Sequence, residues 1–310
     1  MKVLVTIPHY FNPKGDGRYG STGPELDRRA AVLGRTLTGL HQTLGPRQAF
    51  LLYLERTLPP GARCNGRLNR VNQHAASRLD VVVFTHSNHH LLGKIPRLRR
   101  LYTQQGVEGD PMLLGFECQR FLQKALGEYD YYCYLEDDLL VHDSLFLQKI
   151  QWFHAQFGDE TVLFPHRYEV SGVEPLDKLY IDGPVRADFT APWQDVRDRQ
   201  IVTAESFGQT LRFVRWPNPH SGCFFLNSRQ MQHWAASPDF FKTDCSFAGP
   251  LESAASLGVM KHFRIYKPAA ENAGFLEIQH LHNRYLGQAL RFFSPEAPGP
   301  SPSPESSPKP

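Results

Sequence analysis

The sequence predicts an α/β fold, with a central, mostly parallel sheet flanked by helices and a smaller antiparallel, loop-rich part. Three observations carry this. Apolar runs at 3–7, 79–85 and 131–135 are short, rich in β-branched and aromatic residues, and lack the alternation of a half-exposed strand. Between them lie stretches with apolar residues at helical spacing. The third apolar run ends in three consecutive carboxylates, Glu136, Asp137 and Asp138. Strands buried on both faces and joined by helices imply a sheet covered on both sides.

The elements follow in order. Residues 3–7 read as the first strand. Over 25–44 the apolar positions Leu26, Ala30, Leu33, Leu37, Leu40 and Leu44 predict a helix. Residues 49–54 read as a second strand, 68–76 as a short helix and 79–85 as a third strand. A helix over 112–126 follows Asp110 and Pro111, a cap and first-turn pair. The fourth strand is 131–135, and a helix over 144–157 takes Asp143 or Ser144 as its cap. Beyond it the pattern loosens. Strands are expected at 161–165, 221–227 and 262–268, and helices at 228–237 and 251–258. The segment SPEAPGPSPSPESSPKP is rich in Pro, Ser and Gly and almost without apolar residues. It reads as a disordered tail over 294–310, leaving one folded domain over 1–293, divisible into halves at 1–143 and 144–293.

Composition narrows the function. The chain has 310 residues, 41% hydrophobic and 21% charged, with a formal net charge of +3. That is ordinary for a soluble globular protein and offers no face for nucleic acid. The densest basic run, Lys94 to Arg100, reads as a solvated helix face. Five scattered cysteines without CxxC spacing argue against a disulfide framework or a thiolate zinc site. No apolar run approaches the ~18 residues of a membrane-spanning helix. The setting implied is reducing and cytoplasmic, with a peripheral position at a membrane left open.

Motifs narrow it further. Gly15, Gly17 and Gly20 match GxGxxG, but they fall in mid-loop rather than in a tight turn from strand to helix. The acidic partner expected ~20 residues on is misplaced, since Glu55 lies further along. A Gly-rich loop is the better reading. The P-loop, HExxH and GxSxG patterns are absent. The acidic triplet is the strongest signal. Carboxyl ends of strands form the ligand crevice of open α/β sheets, and clustered carboxylates there suit a hard divalent cation. An EF-hand would need a Gly and alternating oxygen ligands where this chain has leucines.

The stretch YDYYCYLEDDLLVHDSLFLQKIQWF (129–153) resembles the DxD region of GT-A glycosyltransferases, in the Glu-Asp-Asp form of N-acetylglucosaminyltransferase I. It has the same layout of apolar strand, acidic triplet, short apolar stretch and amphipathic helix. The start VLVTIPHYF (3–11) resembles the first strand of family 2-type members, and MLLGFECQRFLQKAL (112–126) the helix beneath their donor site. The resemblance implies a GT-A fold and a cofactor, Mn2+ or Mg2+, bound by Asp138. Asp137 or Glu136 would contact the ribose or a metal-bound water. Pro8, His9, Tyr10, Thr85 and His86 would line the nucleoside pocket, and Ser221 and Gly222 would lie under the donor sugar. His280 and His282, two apart, would share a strand face and supply a further ligand. Glu252, opening a short helix, would be the general base, with Asp244 the runner-up; the family's Glu-Asp pair is Glu-Ser here.

The function implied is inverting hexosyl or N-acetylhexosaminyl transfer. The donor would be a nucleotide-diphosphate sugar, UDP-linked first, and the acceptor a carbohydrate or other hydroxyl. Two alternatives stand beside it: a nucleotidyltransferase acting on a sugar phosphate, and a non-catalytic sugar-binding protein of the same fold.

Overall fold

The computed structural model describes residues 1–15, 20–46, 49–54, 66–71, 76–183, 185–186, 188–240 and 242–293. The centre of the glycine loop, Cys64 and the 294–310 tail lie outside these.

The fold is the α/β arrangement expected, a central, mostly parallel sheet flanked by helices. The sheet contains β1 (Lys2–His9), β4 (Arg78–His86), β5 (Thr103–Val107), β6 (Tyr131–Leu135) and β13 (Cys223–Asn227), in the order β13-β6-β1-β4-β5. The first four are mutually parallel, and β13 runs antiparallel against β6. Helices α1 (Leu26–Thr43), α2 (Leu114–Lys124), α3 (Phe146–Phe157) and α4 (Ser228–Ala235) accompany it.

Two buried clusters show why the strands read as unbroken apolar runs. Odd-numbered residues such as Val3, Val5, Ile7, Val81, Val83, Cys133 and Phe225 pack with Leu33, Leu37 and Leu40 of α1 and Phe153 of α3. Even-numbered Leu4, Val82, Phe84, Tyr132, Tyr134 and Phe224 pack with Phe116 and Leu122 of α2 and Trp234 of α4. Successive side chains point to opposite faces, and both faces are dry. Each fully buried Leu or Phe contributes about 1.5–3 kcal/mol.

Two smaller four-stranded sheets hold most of the second half. One runs β10-β9-β15-β7, from β7 (Leu139–Leu140), β9 (His166–Val173), β10 (Leu176–Tyr180) and β15 (Glu277–His280). The other runs β11-β12-β14-β8, from β8 (Thr161–Leu163), β11 (Ile201–Ser206), β12 (Gln209–Val214) and β14 (Arg264–Pro268).

Several local expectations need correction. The predicted helix over 68–76 begins as strand β3 (Gly66–Arg70), and 72–75 lie outside the described residues. β3 pairs with β2 (Phe50–Leu54) in a separate two-stranded ribbon, so β2 is no member of the parallel sheet. The reason is visible in its exposure: Phe50, Leu51, Leu52 and Leu68 all face solvent. β5 was not foreseen, because TQQGV is a polar, largely exposed edge. Ser144 does not cap α3. Asp143 accepts the Leu145 N–H instead, at 2.8 Å. The basic run forms two 3-10 turns, Leu92–Lys94 and Pro96–Leu101, rather than an α-helix; its Lys and Arg side chains are exposed. The predicted 251–258 helix extends over 250–262 through a π-helical turn, Ser253–Leu257.

His154, buried on α3 beside Tyr131, illustrates a cost of this packing. Burial pushes its imidazole down to about 4, against Asp159 nearby. The unfolded chain therefore takes up a proton first, and stability present above about pH 6.5 falls as the pH drops toward 4. Urea denaturation should show a loss of about 2–3 kcal/mol between pH 7 and 4.5 from this group. His154→Gln should flatten that part of the profile, and an unchanged slope would refute the assignment.

Candidate active site

The acidic triplet is held from three sides. β6 delivers it to the carboxyl end of the parallel sheet, and β7, just after it, pairs antiparallel with β15. The Leu281 N–H donates to the Asp138 carbonyl at 2.9 Å, which sets His280 and His282 beside Asp138. Helix α1 closes the third side. Its Thr36 and Thr43 hydroxyls donate to the carbonyls of Asp137 (3.1 Å) and Val141 (2.8 Å). Gly39 lets the helix come close, since a Cβ there would lie 2.0 Å from Leu140 Cδ1.

The three carboxylates meet three different surroundings. Asp137 points inward. It accepts from Arg29 Nη2 at 2.8 Å and from His9 Nδ1 at 2.5 Å. His9 Nε2 accepts the Leu91 N–H at 3.0 Å, so the ring's proton sits on Nδ1. Burial opposes ionisation of Asp137, but Arg29 and His9 outweigh it and hold the carboxyl well below the usual range. Glu136 turns the other way, with Arg167 Nη1 and His220 Nε2 each 3.8 Å from its oxygens. Burial lifts this carboxyl well above the usual range despite Arg167. Adjacent carboxyls are thus driven in opposite directions by their surroundings.

Asp138 follows them in the chain and faces the two histidines. Its Oδ2 lies 3.7 Å from His280 Nε2, 3.5 Å from His282 Nε2 and 3.5 Å from Arg29 Nη1. Its Oδ1 is buried without a hydrogen-bond partner among the described residues. His280 is oriented from behind, its Nδ1 2.8 Å from Glu169 Oε1. Glu169 is fully buried and also accepts the Leu286 N–H at 2.6 Å, in the helix Arg284–Ala289. A carboxylate on one imidazole nitrogen leaves the other free to ligate, as second-shell carboxylates do for metal-bound histidine.

Two ligands ~2.1 Å from a shared ion stand roughly 3–3.6 Å apart, near the spacing seen here. Asp138 thus stands from each imidazole at a pairwise spacing that a shared divalent cation would bridge, and it carries an orphaned carboxylate oxygen. The fit is not closed: among the described residues no group of three or more such side chains already stands in metal-holding geometry. Arg29 Nη1 also contacts His282 Nε2.

Of the residues expected to line a nucleoside pocket, His9 and Thr85 are fully buried. Thr85 accepts from Gln104 Nε2 at 3.1 Å. Pro8 is buried in the sheet opposite Phe84. Tyr10 and His86 reach solvent. With His89 they form a partly exposed aromatic cluster, with ring centroids 5.5 Å (Tyr10–His89), 6.4 Å (Tyr10–His86) and 6.2 Å (His86–His89) apart. Ser221 is fully buried and donates to the Pro165 carbonyl at 2.7 Å. Gly222 has φ +64°, and a Cβ there would lie 2.5 Å from Glu136 Oε2. Its missing side chain makes room for Glu136.

Glu252 opens the 250–262 helix, close enough to Glu136 and Tyr134 for its charge to raise both. Its carboxylate has no hydrogen bond or ion pair among the described residues. Asp244 is different. It is bound to Lys261 at 2.7 Å, and that bond, with the Ser246 N–H, holds its carboxyl down to about 2. It lines a small recess with Phe116, Trp234, Gly258 and Lys261, to which the acidic triplet contributes nothing.

Sequence reasoning missed Arg29, Glu169 and the buried group formed by Arg167, Asp182 and Lys267. Asp182 accepts from Arg167 Nε at 2.9 Å and from Lys267 Nζ at 3.0 Å. A signal existed for some of these. Arg29 lies one turn before Leu33 on the apolar face of α1, and Lys267, buried like its neighbours, interrupts the otherwise apolar stretch 265–268 of β14.

No family model and no curated protein matches the chain. Among solved structures, it is similar to S. aureus TarS 1–349, at 10% identity and a TM-score of 0.44, over 94% of this chain and 64% of that one. The chain thus spans less than two thirds of that structure's length. It is also similar to CMP:2-keto-3-deoxy-manno-octonic acid synthetase complexed with CTP, at 12% identity and a TM-score of 0.34, over 86% of this chain and 90% of that one.

Proposed function

We propose that this protein is a metal-dependent glycosyltransferase of the GT-A type, moving a sugar from a nucleotide-diphosphate donor, UDP-linked first, to an acceptor hydroxyl with inversion. The observation that carries the reading is the meeting of Asp138, His280 and His282 at the carboxyl end of a parallel sheet, with His280 held by Glu169. These three residues would hold one divalent cation, Mn2+ before Mg2+ because imidazole suits Mn2+ better, and it would supply positive charge against the leaving diphosphate. Tyr10, His86 and His89 would stack on the donor's base. Glu252, with its free carboxylate, would take the acceptor hydroxyl's proton. No helix among the described residues is long and apolar enough to cross a membrane.

The test is a panel of nucleotide sugars with and without Mn2+, read by the product released. Nucleoside diphosphate appearing only with metal supports transfer. In a parallel assay with nucleoside triphosphates and sugar phosphates, release of pyrophosphate would make the protein a nucleotidyltransferase, and sugar binding without turnover in either assay would make it a non-catalytic relative.

Within the reading, the two base candidates separate cleanly. Glu252→Gln should lower kcat for transfer by on the order of 10²–10⁴ with little change in donor KM. Asp244→Asn, which loses an ion pair with Lys261, should stay within about twofold. The opposite ranking would reassign the base.

A further inference from the structure

We propose that Arg29 is a resident cation that stands in for the metal at Asp138 and His282, and that metal binding displaces it from them. The inference rests on the proposed metal-binding role of Asp138, His280 and His282. Arg29 is buried, with its guanidinium between two aspartates. One end, Nη2, is anchored to Asp137 Oδ1 at 2.8 Å, and Asp137 is fixed in turn by His9. The other end, Nη1, touches Asp138 Oδ2 at 3.5 Å and His282 Nε2, two of the three atoms that would ligate an ion.

The lone pair on His282 Nε2 cannot accept from a guanidinium N–H and bind a metal at once. Arg29 therefore does two things. It offsets one of the two negative charges of Asp137 and Asp138 when no metal is present, so the folded chain does not depend wholly on the ion. It also competes with the ion, lowering affinity for it. Because the Asp137 end stays anchored, the displaced Nη1 remains near the site, one N–H donor toward whatever the ion brings with it. His280, whose Nε2 makes no contact with Arg29, is left as the ligand open to an incoming ion.

Arg29→Lys keeps the charge near Asp137 but shortens the side chain and removes the fork that reaches His282. Mn2+ is titrated into the protein without any nucleotide sugar, following the free-ion signal by electron paramagnetic resonance. Arg29→Lys should bind about tenfold tighter than wild type, or ~1.4 kcal/mol. Asp138→Ala should bind little in either background. Equal or weaker binding by Arg29→Lys, with Asp138→Ala still silent, would overturn the displacement while leaving the metal site standing. Undiminished binding by Asp138→Ala would remove the metal site itself and this inference with it. Should Arg29→Lys not fold, the wild-type chain carries the test. Adding diamagnetic Cd2+ should shift the Arg29 side-chain nitrogen resonances, assigned by their loss in Arg29→Met/Asp137→Asn, and unmoved resonances at saturating Cd2+ would overturn the proposal.

Discussion

Asp138→Ala is expected to abolish Mn2+-dependent donor hydrolysis and sugar transfer, by on the order of 10³ or more in kcat, while leaving the fold intact. The size follows from what the site would lose. A bound cation contributes several kcal/mol of charge stabilisation at a departing diphosphate, and each ~1.4 kcal/mol is tenfold in rate. The harmlessness to the fold follows from the surroundings of the side chain. The Asp138 carbonyl, which alanine keeps, accepts the Leu281 N–H. The carboxylate has no short hydrogen bond; its nearest cation, Arg29, keeps its bond to Asp137. A circular dichroism melt beside the turnover assay separates the two effects. Full turnover in a well-folded variant would sink the assignment of Asp138.

The second large effect is on stability. Lys267→Met should cost about 3–5 kcal/mol, out of a total of about 5–15 for a typical domain. Lys267 is fully buried, and its ammonium donates to Asp182 Oδ2 at 3.0 Å and to the His220 carbonyl at 2.6 Å. Burial pulls its ionisation down against Asp182. Methionine fills similar volume but leaves the Asp182 carboxylate with Arg167 alone and the His220 carbonyl without this donor. The comparison is Lys178→Met, which breaks a pair with Glu277 that solvent reaches and should cost less than about 1 kcal/mol. Equal costs in urea denaturation would show that burial at Lys267 does not matter. Arg167 also faces Glu136, so a loosened Lys267 should lower turnover as well as stability.

Particular residues show why some of this was legible in the sequence. The strands at 3–7, 79–85 and 131–135 announced themselves because both their faces are buried, so nearly every position is apolar, with Thr6, Asp80 and Thr85 the exceptions. The triplet stood out because three carboxylates at the end of such a strand have few structural uses. His280 and His282 were paired with it through resemblance, and the antiparallel contact of β7 with β15 supplies the physical link. Arg29 and Glu169 were not found, because their partners lie far along the chain and long-range polar pairing leaves no periodic trace. Arg29 looked like one polar residue in an amphipathic helix. Glu169 lies in a stretch where polar and apolar residues mix. The second strand was placed correctly but assigned to the wrong sheet, since a short apolar run says nothing of its neighbour. His9 and Thr85 were read as pocket walls through the resemblance, and both are fully buried and already hydrogen-bonded.

The span between Arg29 and His282, 253 residues, has a consequence for biosynthesis. During translation, β1, α1, β4 and β6 leave the ribosome long before β15 does, and early segments begin to fold as they emerge. For most of that time Asp137 and Asp138 have Arg29 for company and no imidazole from β15. On the proposed metal reading, a nascent chain, or one cut short before His280, would hold Asp138 beside Arg29 without its two imidazoles and would bind the ion more weakly. On that same reading, the full ligand set would exist only once β15 has paired with β7.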